Sequence, residues 1–225
     1  MELNSTIQDL LSEKTLGFSV EVAEQLCETT IVCPVEKIIE LLALLKNGFY
    51  FKFDSLIDLC AVDYLTYGKS DWETDFSSGS SYSRGVESVT QESILNTPER
   101  FAVVYHLLST ELNHRCRVKV FLSESILTIP TATFLWSGAN WFEREAYDLY
   151  GILFQGHPDL RRLLTDYGFI GHPFRKDFPL SGYVEMRYDA TVKRVVYEPV
   201  SIEPRVLVPK VIRDDNRHLS DKEGH

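Results

Sequence analysis

The chain has 225 residues, enough for one globular body and an additional extended segment at roughly 150 residues per domain. Hydrophobic residues make up 44% of the chain and charged residues 25%, a composition that excludes collagen-like, coiled-coil and wholly disordered proteins. The longest fully apolar runs, 41–45 and 101–105, are far shorter than the roughly 18 residues that a membrane-spanning helix requires. We therefore expect no membrane-spanning segment.

The formal net charge is −10, and it comes from the first half of the chain. Residues 1–100 hold 17 acidic and 7 basic side chains, a net of −10, so nucleic acid and anionic lipid would be repelled. The N-terminal residues include Glu2 and Asp9, with no basic residue before Lys14. This is unlike a secretory signal peptide, and we expect a chain that is made in the cytosol or already processed.

The chain lacks the minimal motifs of several enzyme classes. The patterns Gly-x-Gly-x-x-Gly, Gly-x-Ser-x-Gly and His-Glu-x-x-His do not occur, which disfavours dinucleotide binding, serine hydrolysis and zinc proteolysis. The cysteines also lack the Cys-x-x-Cys spacing of zinc and iron–sulfur sites, so we predict reduced, mostly buried thiols. They are Cys27, Cys33, Cys60 and Cys116.

The first part of the chain predicts two helices and two strands. Apolar residues at three- and four-residue spacing predict a short helix over 5–12, and short strands are expected near 18–23 and 29–33. Pro34 suits the first turn of a second helix, which ends before Gly48. Its apolar stripe is formed by Ile38, Leu41, Leu42 and Leu45.

The middle of the chain predicts a sheet. Residues 49–65, 101–108 and 116–122 are rich in aromatic and aliphatic residues or alternate between apolar and polar, as strands do. The last two are expected to be neighbours, joined by a turn at 111–114. The predicted fold class is therefore α+β, a small and mainly antiparallel sheet covered by helices.

Two segments depart from this pattern. Residues 68–99 include five consecutive Ser and Gly residues at 77–81, and their lack of periodicity predicts a long polar surface loop. From 179 to 225, prolines alternate with short apolar clusters, which predicts an extended C-terminal arm lying along another surface. The globular domain is accordingly expected to span 1–178.

The chemistry-bearing stretch begins with a short amphipathic helix from Trp141 to Gly151, where Gly151 suits a C-terminal cap. Its acidic residues are open to several interpretations. Asn140 and Glu143 match a capping box, and Glu145 and Asp148 could share a proton or hold a divalent metal. A solvated face on which Arg144 pairs with Asp148 is the simpler interpretation.

The next stretch repeats Gly-His-Pro at 156–158 and 171–173. The two histidines and the nearby acids could form a metal site with two His ligands and one carboxylate, although tight turns with locally bonded imidazoles explain the repeat more simply. Interleaved charge beside many aromatic residues is typical of a polar protein interface. The residues concerned are His157, His172, Asp159, Asp166, Asp177, Arg161, Arg162, Arg175 and Lys176.

This stretch closely resembles the family of the C subunit of proton-translocating NADH-quinone oxidoreductase, the bacterial counterpart of the 30-kilodalton subunit of respiratory complex I. The signature of that family is filled here by Glu143-Arg144-Glu145, Asp148, Leu149-Tyr150, His157, Arg161 and Leu163-Leu164. The runs 166–169, 172–179 and 182–183 are also similar to the family. The resemblance is strong over roughly 136–198; the earlier part agrees only in the order of elements, and the 68–99 loop resembles an insertion.

The resemblance implies a non-catalytic structural subunit in the peripheral, hydrophilic arm of the complex, which transfers electrons from NADH through FMN and Fe-S centres to quinone and translocates protons. This chain would bind no flavin, Fe-S cluster or metal and would have no catalytic residue. It would contact the quinone-cavity subunit (D) and the terminal-cluster subunit (B) in a hetero-oligomer on the cytoplasmic side of the inner membrane. Its membrane association would arise only through the complex.

The resemblance also makes the signature residues the expected contact and stabilising region, within 143–162 and 169–188. The expected site residues are Glu143, Arg144, Glu145, Asp148, His157, Arg161, Arg162, His172, Arg175, Lys176 and Asp177. Two alternatives remain open at this point. One is a homologous scaffold in a membrane-bound hydrogenase or a dehydrogenase complex with another donor, and the other is a free-standing metal-dependent enzyme that uses the histidines and nearby acids.

Overall fold

The structure is a computed structural model that describes residues 21–25, 28–65, 67 and 99–202. The chain divides into two compact units. The first comprises the described residues up to Leu65 and from 99 to Leu180, and the second comprises Tyr67 and 181–202. The predicted helix at 5–12 and nearly all of the predicted loop at 68–99 lie outside the described residues, as does the arm beyond 202.

A five-stranded sheet forms the centre of the first unit, in the order β1-β2-β5-β4-β3. Its neighbouring strands are antiparallel except for the parallel pair β2 and β5. Strands β4 and β5 are consecutive and adjacent, as predicted, and the mainly antiparallel α+β fold class is confirmed. The strands are β1 (Glu21–Gln25), β2 (Glu28–Val32), β3 (Ser55–Asp63), β4 (Phe101–Ser109) and β5 (His114–Leu122).

The core lies on one face of the sheet. Side chains alternate between the two faces of a strand, so the residues that face the core are every second residue of each strand. In β5, Cys116, Val118, Val120 and Leu122 are buried while the residues between them are partly exposed. Helix α1 (Ile38–Asn47) contributes four buried side chains to the same core. They are the four residues of the predicted apolar stripe, so this helix is confirmed.

The strand predicted from 49 begins only at Ser55, because residues 48–54 form a turn. Lys52 has a positive φ of 44° in this turn, a conformation that interrupts extended backbone. Phe49 and Tyr50 are exposed there. Aromatic content alone therefore placed the start of this strand too early.

After β5, the first unit continues with two short strands and a second helix. Strand β6 (Thr128–Pro130) pairs in parallel with β7 (Leu153–Gln155), and helix α2 (Ala139–Tyr150) lies between them in the chain. The helix ends at Gly151, whose φ of 80° is left-handed and whose N–H bonds to the Tyr147 carbonyl, so the predicted cap is confirmed.

The described part of the second unit is a β-hairpin formed by β8 (Val184–Asp189) and β9 (Arg194–Pro199). The register places every apolar residue of one face opposite another, whereas the other face carries the ion pair between Arg187 and Glu198. The apolar face is formed by Val184, Met186, Tyr188, Val195, Tyr197 and Pro199. The sequence interpretation expected an extended arm here and did not predict this hairpin.

None of the helices within the described residues combines the length and the apolar character that crossing a bilayer demands.

Candidate interaction site around helix α2

Asp148 is the centre of a hydrogen-bond network that ties the segment 161–165 to helix α2. The side chain is fully buried, and its Oδ2 accepts hydrogen bonds from the backbone N–H groups of Leu163, Leu164 and Thr165 at 2.7–3.0 Å. Oδ1 accepts from the Thr165 hydroxyl at 2.5 Å and from Arg162 Nη1 at 3.1 Å. Burial alone would raise the pKa of Asp148, but the bonds from Thr165 and its neighbours outweigh burial and lower it.

Two arginines of this region bind backbone carbonyls. Arg144 Nε donates to the Arg161 carbonyl at 3.1 Å, and the Arg162 guanidinium donates to the Gly171 carbonyl at 3.0 Å. The expected pair of Arg144 with Asp148 on a solvated face is therefore wrong: Arg162 pairs with Asp148, and both Arg144 and Asp148 are buried. These bonds fix the segment that follows β7 both to the helix and to itself.

His172 and Arg175 close the C-terminal end of α2. His172 Nδ1 donates to the Asp148 carbonyl at 2.9 Å, and Arg175 Nε donates to the Tyr150 carbonyl at 2.7 Å. These are carbonyls of the last helical turn, which have no partner within the helix. Gly151 leaves room for both side chains, since a Cβ there would lie 2.6 Å from His172 Nε2 and 2.7 Å from Arg175 Nη2.

Glu143 faces the core and not the helix N-terminus. Its Oε2 accepts from the Thr131 hydroxyl at 2.5 Å and its Oε1 from the Ala132 N–H at 2.7 Å. The capping-box interpretation is wrong, because the helix begins one residue before Asn140 and Gly138 occupies the N-cap without a side-chain bond. Burial raises the pKa of Glu143 to about 7, although both hydrogen bonds act to lower it.

His157 bonds to nearby backbone, as the simpler interpretation of the Gly-His-Pro repeat predicted. Its Nδ1 accepts from the Asp159 N–H at 3.0 Å, so Nε2 carries the proton and donates to the Asn140 carbonyl at 3.2 Å. Glu143 Oε2 lies 4.0 Å from the same Nε2. Both histidines thus bond to backbone groups, and neither belongs to a cluster with metal-ligand spacing among the described residues.

The sequence interpretation missed the residues that hold 175–177 on the sheet. Arg100 makes a two-pronged pair with buried Asp63, with both N···O distances at 3.0 Å, and also contacts Asp177 at 3.0 Å. Asp63 Oδ2 accepts in addition from the Lys176 N–H at 2.8 Å. This contact uses the backbone of Lys176, and no local sequence signal links positions 113 residues apart.

The remaining expected site residues lie on the surface. Glu145 is exposed, and the Arg161 side chain is 68% exposed in a pair with Asp159 at 2.8 Å. Large apolar side chains are also exposed along the segment 164–180. They are Leu164, Tyr167, Ile170, Phe174 and Leu180. Buried or partly buried polar side chains therefore hold this segment in place, while the segment itself presents apolar surface to the solvent. These side chains are Arg144, Asp148, Arg162, His172 and Arg175.

Within the part of the chain that is described, one group of three side chains has the spacing for a metal ion, and it lies on strands β3 and β4. Ligand atoms of Asp58, Cys60 and His106 are within 4.8 Å of one another. Burial and the adjacent Asp58 raise the pKa of the Cys60 thiol, which favours the neutral thiol over the thiolate that a metal binds. This group is not among the residues predicted for a metal site.

Comparison with known proteins identifies the relatives of this chain. Residues 31–184 match the family described as respiratory-chain NADH dehydrogenase, 30 Kd subunit. The C subunit of NADH-quinone oxidoreductase from Legionella pneumophila strain Corby is 55% identical over 222 residues, covering 99% of this chain and 98% of that protein. The C subunit from Coxiella burnetii strain Dugway 5J108-111 is 58% identical over 183 residues, covering 80% of each chain.

Two solved structures are also similar. The trypsin-resistant fragment of Nqo5 is 33% identical, with a TM-score of 0.49, and the match covers 71% of this chain and all of the fragment. An archaeal membrane-bound sulfane sulfur reductase is 18% identical, with a TM-score of 0.50, over 78% of this chain and 85% of that one; this likeness concerns the fold alone. Given the family match over 31–184 and the full-length relatives, the chain belongs to the 30-kilodalton subunit family of respiratory NADH dehydrogenase, also called complex I.

Proposed function

We propose that this chain is a non-catalytic structural subunit of the peripheral arm of proton-translocating NADH-quinone oxidoreductase. The complex would transfer electrons from NADH through FMN and Fe-S centres to quinone, and this chain would bind none of these groups. Its partners would be the quinone-cavity subunit (D) and the terminal-cluster subunit (B), on the cytoplasmic side of the inner membrane. Membrane attachment would arise through the complex alone.

One observation carries this proposal: buried polar groups hold in place a segment whose apolar side chains are exposed. Asp148, Arg144 and Arg162 form their hydrogen bonds inside the protein, on the backbone of 161–171. Side chains bonded in this way are poorly placed to bind a substrate. Meanwhile Ile170 is 88% exposed and Tyr167 fully exposed, and exposed apolar patches of this kind mark protein interfaces.

The C-terminal arm would supply a second contact. An isolated two-stranded hairpin has marginal stability in water, and the apolar face of β8 and β9 has more than half of Met186, Tyr188 and Tyr197 exposed. A partner surface that covers this face would stabilise the hairpin. We therefore place 179–225 against a neighbouring subunit, in keeping with the expectation from the sequence.

The test is a charge introduced into the exposed segment of the intact chain. Ile170→Glu places a carboxylate in the proposed interface, where burying it unpaired is costly, so we expect the yield of assembled complex to fall at least tenfold. Yield is measured by native gel with an NADH-oxidation stain, and mass spectrometry of copurifying subunits separates this complex from a hydrogenase or another-donor dehydrogenase.

The matched control is Phe49→Glu, which changes another exposed apolar residue, in the 48–54 turn before β3. It should leave assembly unchanged, and circular dichroism of both purified variants should match that of the wild type. Normal assembly of Ile170→Glu would contradict the proposed interface. An equal loss in both variants would show that the effect is not specific to the 164–180 segment.

A further inference from the structure

Glu143 is a fully buried carboxyl group that pairs with no Lys or Arg among the described residues, and His157 Nε2 lies 4.0 Å from its Oε2. It receives two hydrogen bonds, one from the Thr131 hydroxyl and one from the Ala132 N–H. Two hydrogen bonds from neutral donors do not offset the loss of hydration of a carboxylate. The site therefore favours the neutral acid more than water does.

Two other polar groups face this carboxyl from neighbouring elements. From β4, the Tyr105 hydroxyl is buried and has no hydrogen-bond partner among the described residues. From the 156–159 turn, His157 uses Nδ1 to accept from the Asp159 N–H and Nε2 to donate to the Asn140 carbonyl. Arg144, the next residue of the helix, donates to the Arg161 and Arg162 carbonyls, and Lys46 of α1 donates to the Leu135 carbonyl.

Two hydroxyl groups lead from this carboxyl toward the solvent. Thr131 Oγ1 lies 2.5 Å from Glu143 Oε2 and 2.9 Å from Thr133 Oγ1, and Thr133 is partly exposed. A hydroxyl group both donates and accepts, and its proton rotates to suit its partners. The chain Glu143, Thr131, Thr133 can therefore be hydrogen-bonded in either direction.

We infer that Glu143 is a proton-binding site that exchanges its proton with water through the Thr131 and Thr133 hydroxyls. In the neutral form, the carboxyl O–H donates to Thr131 and the Thr131 O–H donates to Thr133. On ionisation, Thr133 passes a proton to water, Thr131 passes its proton to Thr133, and Thr131 takes the carboxyl proton. One proton leaves, and the Thr131 O–H then donates to the carboxylate.

The direction of the pH dependence follows from burial. Because burial raises the pKa of Glu143 to about 7 from its ordinary 4.5, the folded chain keeps this proton over a range in which the unfolded chain has lost it. The contribution of the bound proton to the stability of the folded chain is complete at pH values below the ordinary pKa of 4.5 and declines as the pH rises to about 7. Above that, the carboxylate is an uncompensated charge in the core.

The test is infrared spectroscopy of the full-length chain in D2O, in which a protonated carboxyl absorbs apart from a carboxylate. We expect a carboxylic acid band that persists at pH 6, where exposed carboxyls are ionised, and disappears through neutrality. The band should be missing from Glu143→Gln. A spectrum without such a band at pH 6, or an unchanged band in Glu143→Gln, would overturn the inference.

Two milder substitutions keep the test valid if Glu143→Gln fails to fold. Thr131→Val removes a hydrogen-bond donor that favours the carboxylate, so the carboxylic acid band should persist to higher pH. The shift of its pH midpoint should correspond to an increase of about tenfold in the proton affinity of Glu143. Thr133→Val should leave the pH midpoint of the band unchanged. It should slow the exchange of the Glu143 carboxyl proton for deuterium, which is followed by the shift of the band. An unshifted midpoint in Thr131→Val would assign the band to another carboxyl, and unchanged exchange in Thr133→Val would rule out the relay.

Discussion

A single carboxylate organises the loop that follows helix α2. Asp148 accepts hydrogen bonds from three backbone N–H groups of residues 163–165, from the Thr165 hydroxyl and from Arg162, so one side chain satisfies several polar groups of this loop. Burial and pairing of this kind make a side chain far more sensitive to change than its surface neighbours. The signature acid is thus explained by loop architecture.

Replacing Asp148 by Asn should destabilise the protein by about 3 kcal/mol. The amide has a single acceptor oxygen, and its NH2 group would face the N–H groups that now donate to the carboxylate. The free energy of unfolding is measured by urea denaturation. The control is Asp159→Asn, which removes an exposed pair with Arg161 and should cost less than about 1 kcal/mol. Equal effects of the two substitutions would contradict the buried network.

At the scale of elements, the end of α2 and the return of the chain at 172–175 form one structural unit. The left-handed Gly151 ends the helix, and the absence of a side chain there admits His172 and Arg175 to the last helical carbonyls. Burial lowers the pKa of His172, so the neutral ring with its proton on Nδ1 is favoured. Helix end and loop position are therefore set by the same glycine.

Gly151→Ala should lower the free energy of unfolding by about 2 kcal/mol or more, from backbone strain at positive φ and from the close approach to His172. Thermal and urea unfolding measure the effect. Gly138→Ala at the other end of the helix is the control, because Gly138 has a φ of −62° and a Cβ there meets nothing within 4 Å. If Gly151→Ala were as stable as this control, the proposed packing at the helix end would be wrong.

At the scale of the whole molecule, the two units differ in how they bury apolar residues. The first has a sheet and helix core with members such as Phe53, Phe101 and Ile129 wholly buried. The described hairpin of the second has exposed apolar residues along one face. The first unit has the features of a self-sufficient domain, whereas the apolar side chains of the hairpin remain exposed.

Ending the chain after Leu180 should therefore leave a body that unfolds cooperatively but no longer assembles into the complex. A single thermal unfolding transition and the circular dichroism of a folded α+β body should be retained, since the sheet and the α2 network lie within residues up to Leu180. Assembly is measured on a native gel of membranes from cells that express the shortened chain. A normal yield of active complex would refute the role of the arm.

Local pattern determined a definite part of this protein. The apolar stripe of α1, the paired strands β4 and β5 and the cap at Gly151 could be predicted because each depends on residues a few positions apart. The signature around Glu143 and Asp148 also indicated the family. These inferences hold because helix and strand periods are properties of the backbone itself.

Tertiary structure alone decided which polar groups meet. Nothing in the local pattern indicates that Asp148 pairs with Arg162 and not with Arg144, or that Glu143 bonds to Thr131. The same holds for Asp63, which holds the Lys176 backbone across 113 residues. A buried polar group must bond to whatever the fold brings near it, and that neighbourhood depends on how distant segments pack, so these partners emerge only once the sheet, the helix and the returning loop are assembled.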